Sequence, residues 1–363
     1  MSVFSASSRF ASFVYDHFRI IHALKLGIAL FIAASINYFF KLPHFIWSMV
    51  TIVIIMMSLP QVGGAIEKSL QRAVGTTLGA AYGVLLIALF HEYWAVMGFL
   101  IIGVMSISYI CSGRYSYAYL VAGFTMIIVI GDANHDTSEA IWRTTNILLG
   151  CVIAMVVSLL VLPIKAKQDW RSQFSNAIGM MSNLLALHIQ AKPEYVQENQ
   201  KALEKVMKAV LDQKKLFFSL EWESTTLKRH KIELEKLVQA QVRMVTLLEL
   251  LLQTKWQEHE DAAFDKVNQQ AQLLVGYLDE LINFANGKAD NLPPIPDDFD
   301  QQLYQALQQQ LNLEQTEHFA LSGYAWLVYQ LSRTILNIYT QVRLIEQAYI
   351  DKPKLLQIHK KNS

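Results

Sequence analysis

The sequence predicts an all-α membrane protein in which six transmembrane helices (residues 1–163) are followed by a cytoplasmic helical-bundle domain (residues 164–363). Hydrophobic residues make up 53% of the chain and charged residues only 17%, whereas soluble domains hold about a quarter charged residues. Only eight of the 31 Lys and Arg residues precede residue 164. The two parts therefore suit different solvents, lipid first and then water.

Six apolar stretches account for the predicted spans. They cover residues 20–40, 45–59, 73–90, 93–111, 117–131 and 141–162. The first is as long as a helix that crosses ~30 Å of hydrocarbon. The second and fifth are the shortest, at about 15 residues or ~22 Å of helix. Short segments at matching places in two halves are typical of a substrate path, although simple tilt explains them too.

The distribution of Lys and Arg predicts that both termini lie in the cytoplasm, because cytoplasmic loops are enriched in these residues. With the N-terminus inside, Lys41 and Arg143 are the only basic residues on the outer face before residue 164. The inner face collects Arg9, Arg19, Lys25, Lys68, Arg72, Arg114, Lys165, Lys167 and Arg171. An even number of spans then returns the chain to the cytoplasm.

The second half of the chain predicts helices by its apolar spacing of three to four residues. These helices cover residues 169–191, 193–220, 225–256, 262–286 and 319–348, with a further glutamine-rich helix at 301–310. Proline residues at 293, 294 and 296 predict a loop over 287–300.

The third and sixth spans resemble each other. Arg72 is followed by Leu78-Gly79, and Arg143 is followed at the same distance by Leu149-Gly150. The second and fifth spans correspond more loosely, from Thr51 and Thr125 onwards. A repeated unit of three spans must be inverted in the membrane, and such symmetry is typical of transporters. A chance match between two membrane helices is the alternative.

Arg72 and Arg143 are the strongest candidates for a substrate site. A central Arg in a membrane helix costs ~2.5–3.5 kcal/mol on insertion scales, so it usually faces the protein interior. Its planar guanidinium matches a carboxylate with two hydrogen bonds. Two such residues from opposite faces predict a positive path for an organic anion. Anchoring at the membrane interface is the alternative, since both lie near a helix end.

Two lysines could add to this field. Lys25 lies one turn into the first span, and Lys68 lies one turn before Arg72 on the same helix face. Snorkelling of Lys25 to the headgroups and a positive-inside role for Lys68 are the favoured interpretations.

Other chemistries find little support. A net charge of +1 gives no reason to expect a nucleic-acid partner. Cys111 and Cys151 lie in apolar runs and form neither a disulfide framework nor a metal motif. In the acidic segment 132–139, a helix-capping role for Asp136 and Glu139 is favoured over a metal site. No nucleophile–base pair stands out, so the sequence does not predict an enzyme. It also predicts neither a metal nor a cofactor.

The motifs Trp47-Ser-Met-Val-Thr51, Lys68-Ser-Leu-Gln-Arg72-Ala-Val-Gly75-Thr76 and Trp142-Arg143 to Gly150 resemble the fusaric acid resistance (FUSC) and aromatic acid exporter superfamily. Plant malate-conducting channels resemble this superfamily more distantly. The likeness covers most of the chain, including Tyr324-Ala-Trp326. The chain is similar to the short form of these bacterial inner-membrane proteins. The resemblance adds Thr76 to the candidate site.

The resemblance implies proton-linked export of aromatic or other organic acids by a homodimer in the bacterial inner membrane. Larger members pair with a periplasmic adaptor, which is a further expected partner. The candidate substrate-binding residues are Arg72, Arg143, Lys68, Lys25 and Thr76. A passive anion channel is one alternative function. A membrane scaffold that transports nothing, with a protein-binding cytoplasmic domain, is another.

Overall fold

A computed structural model of the chain describes Val14 and residues 17–58, 60–131, 137–190, 196–253, 262–296, 299–310 and 319–350. Regular structure in these ranges is helical throughout. The chain divides into two compact units, Phe10–Ala166 and Lys167–Ser363, the latter with Met1–Arg9. Assignment of these units to membrane and cytoplasm stays a prediction.

The described residues of the first unit form six α-helices. They are α1 (Phe18–Phe40), α2 (Ile46–Ser58), α3 (Val62–Leu89), α4 (Tyr93–Ile110), α5 (Ser116–Gly131) and α6 (Thr137–Leu160). Among the described residues, five helical stretches are long and apolar enough to cross a membrane, and α2 contains a shorter apolar helix, Ile46–Met57. A multi-pass all-α membrane protein is thereby confirmed, whereas the count of six spans stays a prediction.

Helix α3 lies at the centre of this unit and packs along both α5 and α6. Its glycines bring the α5 backbone close, because a Cβ at Gly75 or Gly79 would collide with the carbonyl oxygen of Ala118 or Ala122. Small residues commonly allow membrane helices such an approach. Many large apolar side chains lie on the outside of the unit; Phe31, Trp94 and Tyr109, for example, are 73%, 82% and 92% exposed.

The second unit contains eight helices within its described residues. They are α7 (Ala166–Ile189), α8 (Val196–Lys215), α9 (Phe217–Glu223), α10 (Thr225–Arg229), α11 (Lys231–Leu252), α12 (Ala262–Ala285), α13 (Phe299–Gln310) and α14 (Phe319–Ile350). The predicted helices 193–220 and 225–256 are each interrupted, at Leu216 and His230. The prediction of two uninterrupted helices is therefore wrong at these two points.

A pair of glutamines crosses the apolar contact between α8 and α11. Gln213 and Gln241 are fully buried and donate to each other's amide oxygens, at 2.8 and 3.0 Å. Valine and leucine side chains such as Val210 and Leu237 are buried on the same two helices. The reciprocal bonds satisfy groups that would otherwise be costly in such surroundings.

Replacing only one glutamine leaves the other without its partner. Gln241→Leu is expected to lower the free energy of unfolding by about 1–3 kcal/mol, whereas the double change Gln213→Leu with Gln241→Leu should restore much of the loss. Thermal unfolding of the purified full chain measures both. Equal losses for the single and double variants would contradict this account.

Candidate functional site

Arg72 is the most deeply buried arginine in the described part of the first unit, at 1% exposure. Its Nε donates to Thr51 Oγ1 on α2 at 3.2 Å, and its Nη1 donates to Tyr117 Oη on α5 at 3.2 Å. The guanidinium also lies 5.8 Å from the centre of the Phe124 ring. Three helices therefore hold this side chain between them.

The charge of Arg72 has no anionic partner among the described residues. The two hydrogen bonds go to neutral hydroxyls, and no described carboxylate oxygen lies within 4.0 Å. A guanidinium cannot lose its proton in a protein. Taking an ion out of water costs several kcal/mol unless another charge compensates it. A bound anion is the natural source of that compensation.

Buried hydroxyl groups without partners lie on α2, α3 and α5. Thr76 lies one turn after Arg72 and is fully buried, and its Oγ1 has no hydrogen-bond partner. The hydroxyls of Ser48, Ser69 and Thr125 are also buried without a partner. Each can donate a hydrogen bond. The unit therefore holds a fixed cation together with uncommitted donors, a combination that suits an anion.

Arg143 has different surroundings. Its Nη2 lies 3.4 Å from Glu139 Oε1 on the same helix, and its guanidinium lies 5.6 Å from the Trp47 ring. The same Glu139 oxygen lies 3.5 Å from His44 Nε2. Arg143 thus has a carboxylate neighbour, which Arg72 lacks. A shared path for the two arginines stays a prediction.

The two candidate lysines also differ from each other. Lys25 is 1% exposed, and its Nζ donates to the Ser158 carbonyl oxygen on α6 at 3.3 Å. Snorkelling to the headgroups is therefore wrong for Lys25, because its ammonium is held inside the unit. Lys68 lies over the Tyr117 ring, with its Nζ 4.0 Å from the ring centre. Tyr117 thus contacts both Lys68 and Arg72.

Sequence reasoning did not single out Thr51 or Tyr117 as site residues, because each contacts Arg72 from another helix. An ion pair between Glu67 and Arg114 was likewise not predicted. The acidic residues 132–136 lie outside the described residues. Elsewhere in the described ranges, no group of three His, Cys, Asp or Glu could hold a metal ion.

Several known proteins are similar to this chain. Inner membrane protein YeeA of Escherichia coli K12 is 29% identical over 169 residues, which are 46% of this chain and 47% of YeeA. Uncharacterized transporter YdhK of the same strain is 24% identical over 248 residues, 63% of this chain and 35% of YdhK. Aluminum-activated malate transporter 2 of Arabidopsis thaliana is 25% identical over 193 residues, 47% of this chain and 37% of that protein.

The chain thus spans about half or less of the length of these relatives. Two of the names describe transporters and none describes an enzyme, in agreement with the prediction from the sequence. The chain also matches the Fusaric acid resistance protein family over residues 19–350 of its 363 residues. Since this match covers most of its length, the chain belongs to the fusaric acid resistance protein family.

Proposed function

We propose that the chain is a membrane transporter of organic anions that exports aromatic carboxylic acids from the bacterial cytoplasm across the inner membrane. The observation that carries the proposal is Arg72, a fully buried cation without a described carboxylate within 4.0 Å. Intramembrane charges are expensive and usually mark a substrate or ion path. A substrate carboxylate would supply the missing negative charge.

The geometry around Arg72 suits a carboxylate. The hydroxyls of Thr51 and Tyr117 occupy two of its donors, and both can give way to carboxylate oxygens, which bind a guanidinium more strongly. Thr76 Oγ1 adds an uncommitted donor one turn away. The rings of Phe124 and Tyr117 offer apolar surface beside the charge, which favours an aromatic acid over a small inorganic anion.

The packing of α2, α3, α5 and α6 supports an inverted repeat of three plus three helices. A Cβ at Gly79 would meet the Ala122 carbonyl oxygen at 2.5 Å and Thr125 Cβ at 2.9 Å. At Gly150 the same construction meets the Ser48 carbonyl oxygen at 2.6 Å and Thr51 Cβ at 2.9 Å. The glycines that align in the repeat therefore approach residues that also align in it.

The other parts of the proposal follow from the sequence. Lys and Arg are concentrated in the loops assigned to the cytoplasm, which supports a cytoplasmic position for both termini and for the second unit. A homodimer would supply a second six-helix unit, which larger members carry within one chain. The names of the malate transporters support an organic acid as substrate. A passive anion channel would use the same Arg72 site.

Flux measurements in vesicles test the proposal. The purified protein is placed in liposomes, and uptake of radiolabelled 4-hydroxybenzoate and malate is followed with and without a proton gradient. Arg72→Gln is expected to lower the flux about 30- to 150-fold, which corresponds to the loss of ~2–3 kcal/mol from a charge-assisted bond. Flux that needs no proton gradient would identify a passive channel.

Lys41→Gln is the matched control, because it removes one positive charge from an exposed residue between α1 and α2. Its flux should equal that of the unsubstituted protein. Arg143→Gln should have a smaller effect than Arg72→Gln, since Glu139 already lies beside Arg143. Full flux in Arg72→Gln would overturn the site, and absence of flux for every acid would favour the scaffold.

A further inference from the structure

A second charged cluster lies two turns or less from Arg72, at the beginning of α3. Arg114 Nε lies 3.2 Å from Glu67 Oε1. Gln71 Nε2 donates to the same Glu67 oxygen and to the Arg114 carbonyl oxygen, at 3.1 Å each. Glu67 is thereby fixed against the turn that precedes α5.

The segment from Arg114 to Tyr117 lies along two successive turns of α3. Arg114 contacts Glu67 and Gln71, and Tyr117 contacts Lys68 and Arg72. The chain enters this segment through Gly113, whose φ of 68° is unfavourable for other residues. The cluster around Glu67 and Arg114 is therefore continuous with the candidate site around Arg72, and Tyr117 lies between them.

Positive charge is concentrated in this cluster. Glu67 pairs with Arg114, whereas no described carboxylate oxygen lies within 4.0 Å of Lys68 or Arg72. The side chain of Arg114 is 31% exposed, and that of Glu67 only 11%. The Arg114 side chain is therefore accessible from outside the unit, whereas Arg72 is buried. An anion that approaches from this end meets Arg114 first and finds Glu67 bound there.

We propose that Arg114 is a further substrate-binding residue for organic carboxylates and that Glu67 is its built-in competitor. An arriving carboxylate exchanges with Glu67 on Arg114 and then passes Lys68 to reach Arg72. In the empty protein, Glu67 supplies the negative charge that the substrate later replaces. This inference rests on the proposed function and adds an entry site to it.

Breaking the pair from its two sides separates this role from a structural one. Glu67→Gln keeps the shape of the side chain and removes the competing charge, so the KM for the carboxylate should fall about five-fold. Arg114→Gln removes the entry cation, so the KM should rise about five-fold. In the Arg114→Gln background, Glu67→Gln should no longer lower the KM. A purely structural ion pair predicts shifts in the same direction for both single variants.

The assay is the vesicle flux described above, with whichever of 4-hydroxybenzoate and malate the unsubstituted protein moves faster. Glu92→Gln is the matched control, since it makes the same change at an exposed carboxylate of the same unit. Thermal unfolding of each variant checks that it is folded. KM values that move together, or that do not move, overturn the entry site.

Failure of this inference can be told apart from failure of the proposed function. If Arg72→Gln abolishes flux but the two KM values move together, only the entry site is wrong. If Arg72→Gln leaves flux unchanged, the Arg72 site is wrong whatever the result at Glu67 and Arg114. If the protein moves neither acid, the proposed function fails, and this inference fails with it.

Discussion

Replacing Gly79 or Gly150 with valine is expected to leave little or no folded protein. The first atom of the new side chain would lie 2.5 Å from the Ala122 carbonyl oxygen or 2.6 Å from that of Ser48. Both obstacles are backbone atoms, so neither can move unless a whole helix shifts. Overpacking a filled interior costs about 1–3 kcal/mol and more where the backbone must move.

Size-exclusion chromatography and thermal unfolding in detergent measure this loss. Gly98→Val on α4 is the control, because a Cβ at Gly98 meets nothing within 4 Å. That variant should elute and unfold like the unsubstituted protein. A normal unfolding temperature for Gly79→Val or Gly150→Val would show that the helices can separate without penalty, contrary to the packing described above.

Arg72→Met is expected to abolish carboxylate flux while leaving the protein about as stable as before. Methionine fills a similar volume without a charge, and replacing buried ionic groups by apolar ones is often neutral or stabilising by about 1–4 kcal/mol. The hydroxyls of Thr51 and Tyr117 lose a donor, which offsets that gain by ~1 kcal/mol each. The free energy of unfolding should therefore change little while activity is lost.

Thermal unfolding and vesicle flux on the same preparation test this expectation. Saturating 4-hydroxybenzoate should raise the unfolding temperature of the unsubstituted protein, since a ligand stabilises the state that binds it. It should not do so for Arg72→Met. Lys25→Met makes the same kind of change at the other buried cation, and the response to ligand should survive there. A marked loss of stability in Arg72→Met would assign Arg72 a structural role instead.

The sequence predicted the positions of helices well where local signals mark their ends. The predicted helix 262–286 is observed as Ala262–Ala285, and the predicted helix 319–348 as Phe319–Ile350. The interruptions at Leu216 and His230 carry neither proline nor glycine. Such breaks depend on how the neighbouring helices pack, which local propensity does not report.

The start of α3 shows the limit of hydropathy. The apolar run begins at residue 73, whereas the helix begins at Val62 and includes Glu67, Lys68 and Arg72. An apolar run ends where charged residues begin. A helix can continue through such residues, because its backbone hydrogen bonds persist when other helices cover the charged side chains. The predicted short spans are found as α2 and α5, with 13 and 16 residues, the shortest described α-helices of the first unit.

The candidate site was only partly predictable for the same reason. Arg72 stands out because a charge in an apolar helix is conspicuous in any sequence. Its partners Thr51 and Tyr117 are separated from it by 21 and 45 positions, and residues of these types are common in membrane helices. Contacts between helices decide their role, so only the three-dimensional arrangement reveals it.

The contacts of α3 with α5 and of α6 with α2 have a consequence for biosynthesis. Gly79 packs on α5 and Gly150 packs on α2, so helices α1–α3 cannot bury Gly79 before α5 has been made, and Gly150 is buried only when α6 reaches α2. At about 5–20 residues per second, a ribosome needs several seconds to extend the chain from α3 to the end of α5. Until α5 has been made and has packed on α3, Arg72 lacks the hydroxyl of Tyr117 as a hydrogen-bond partner.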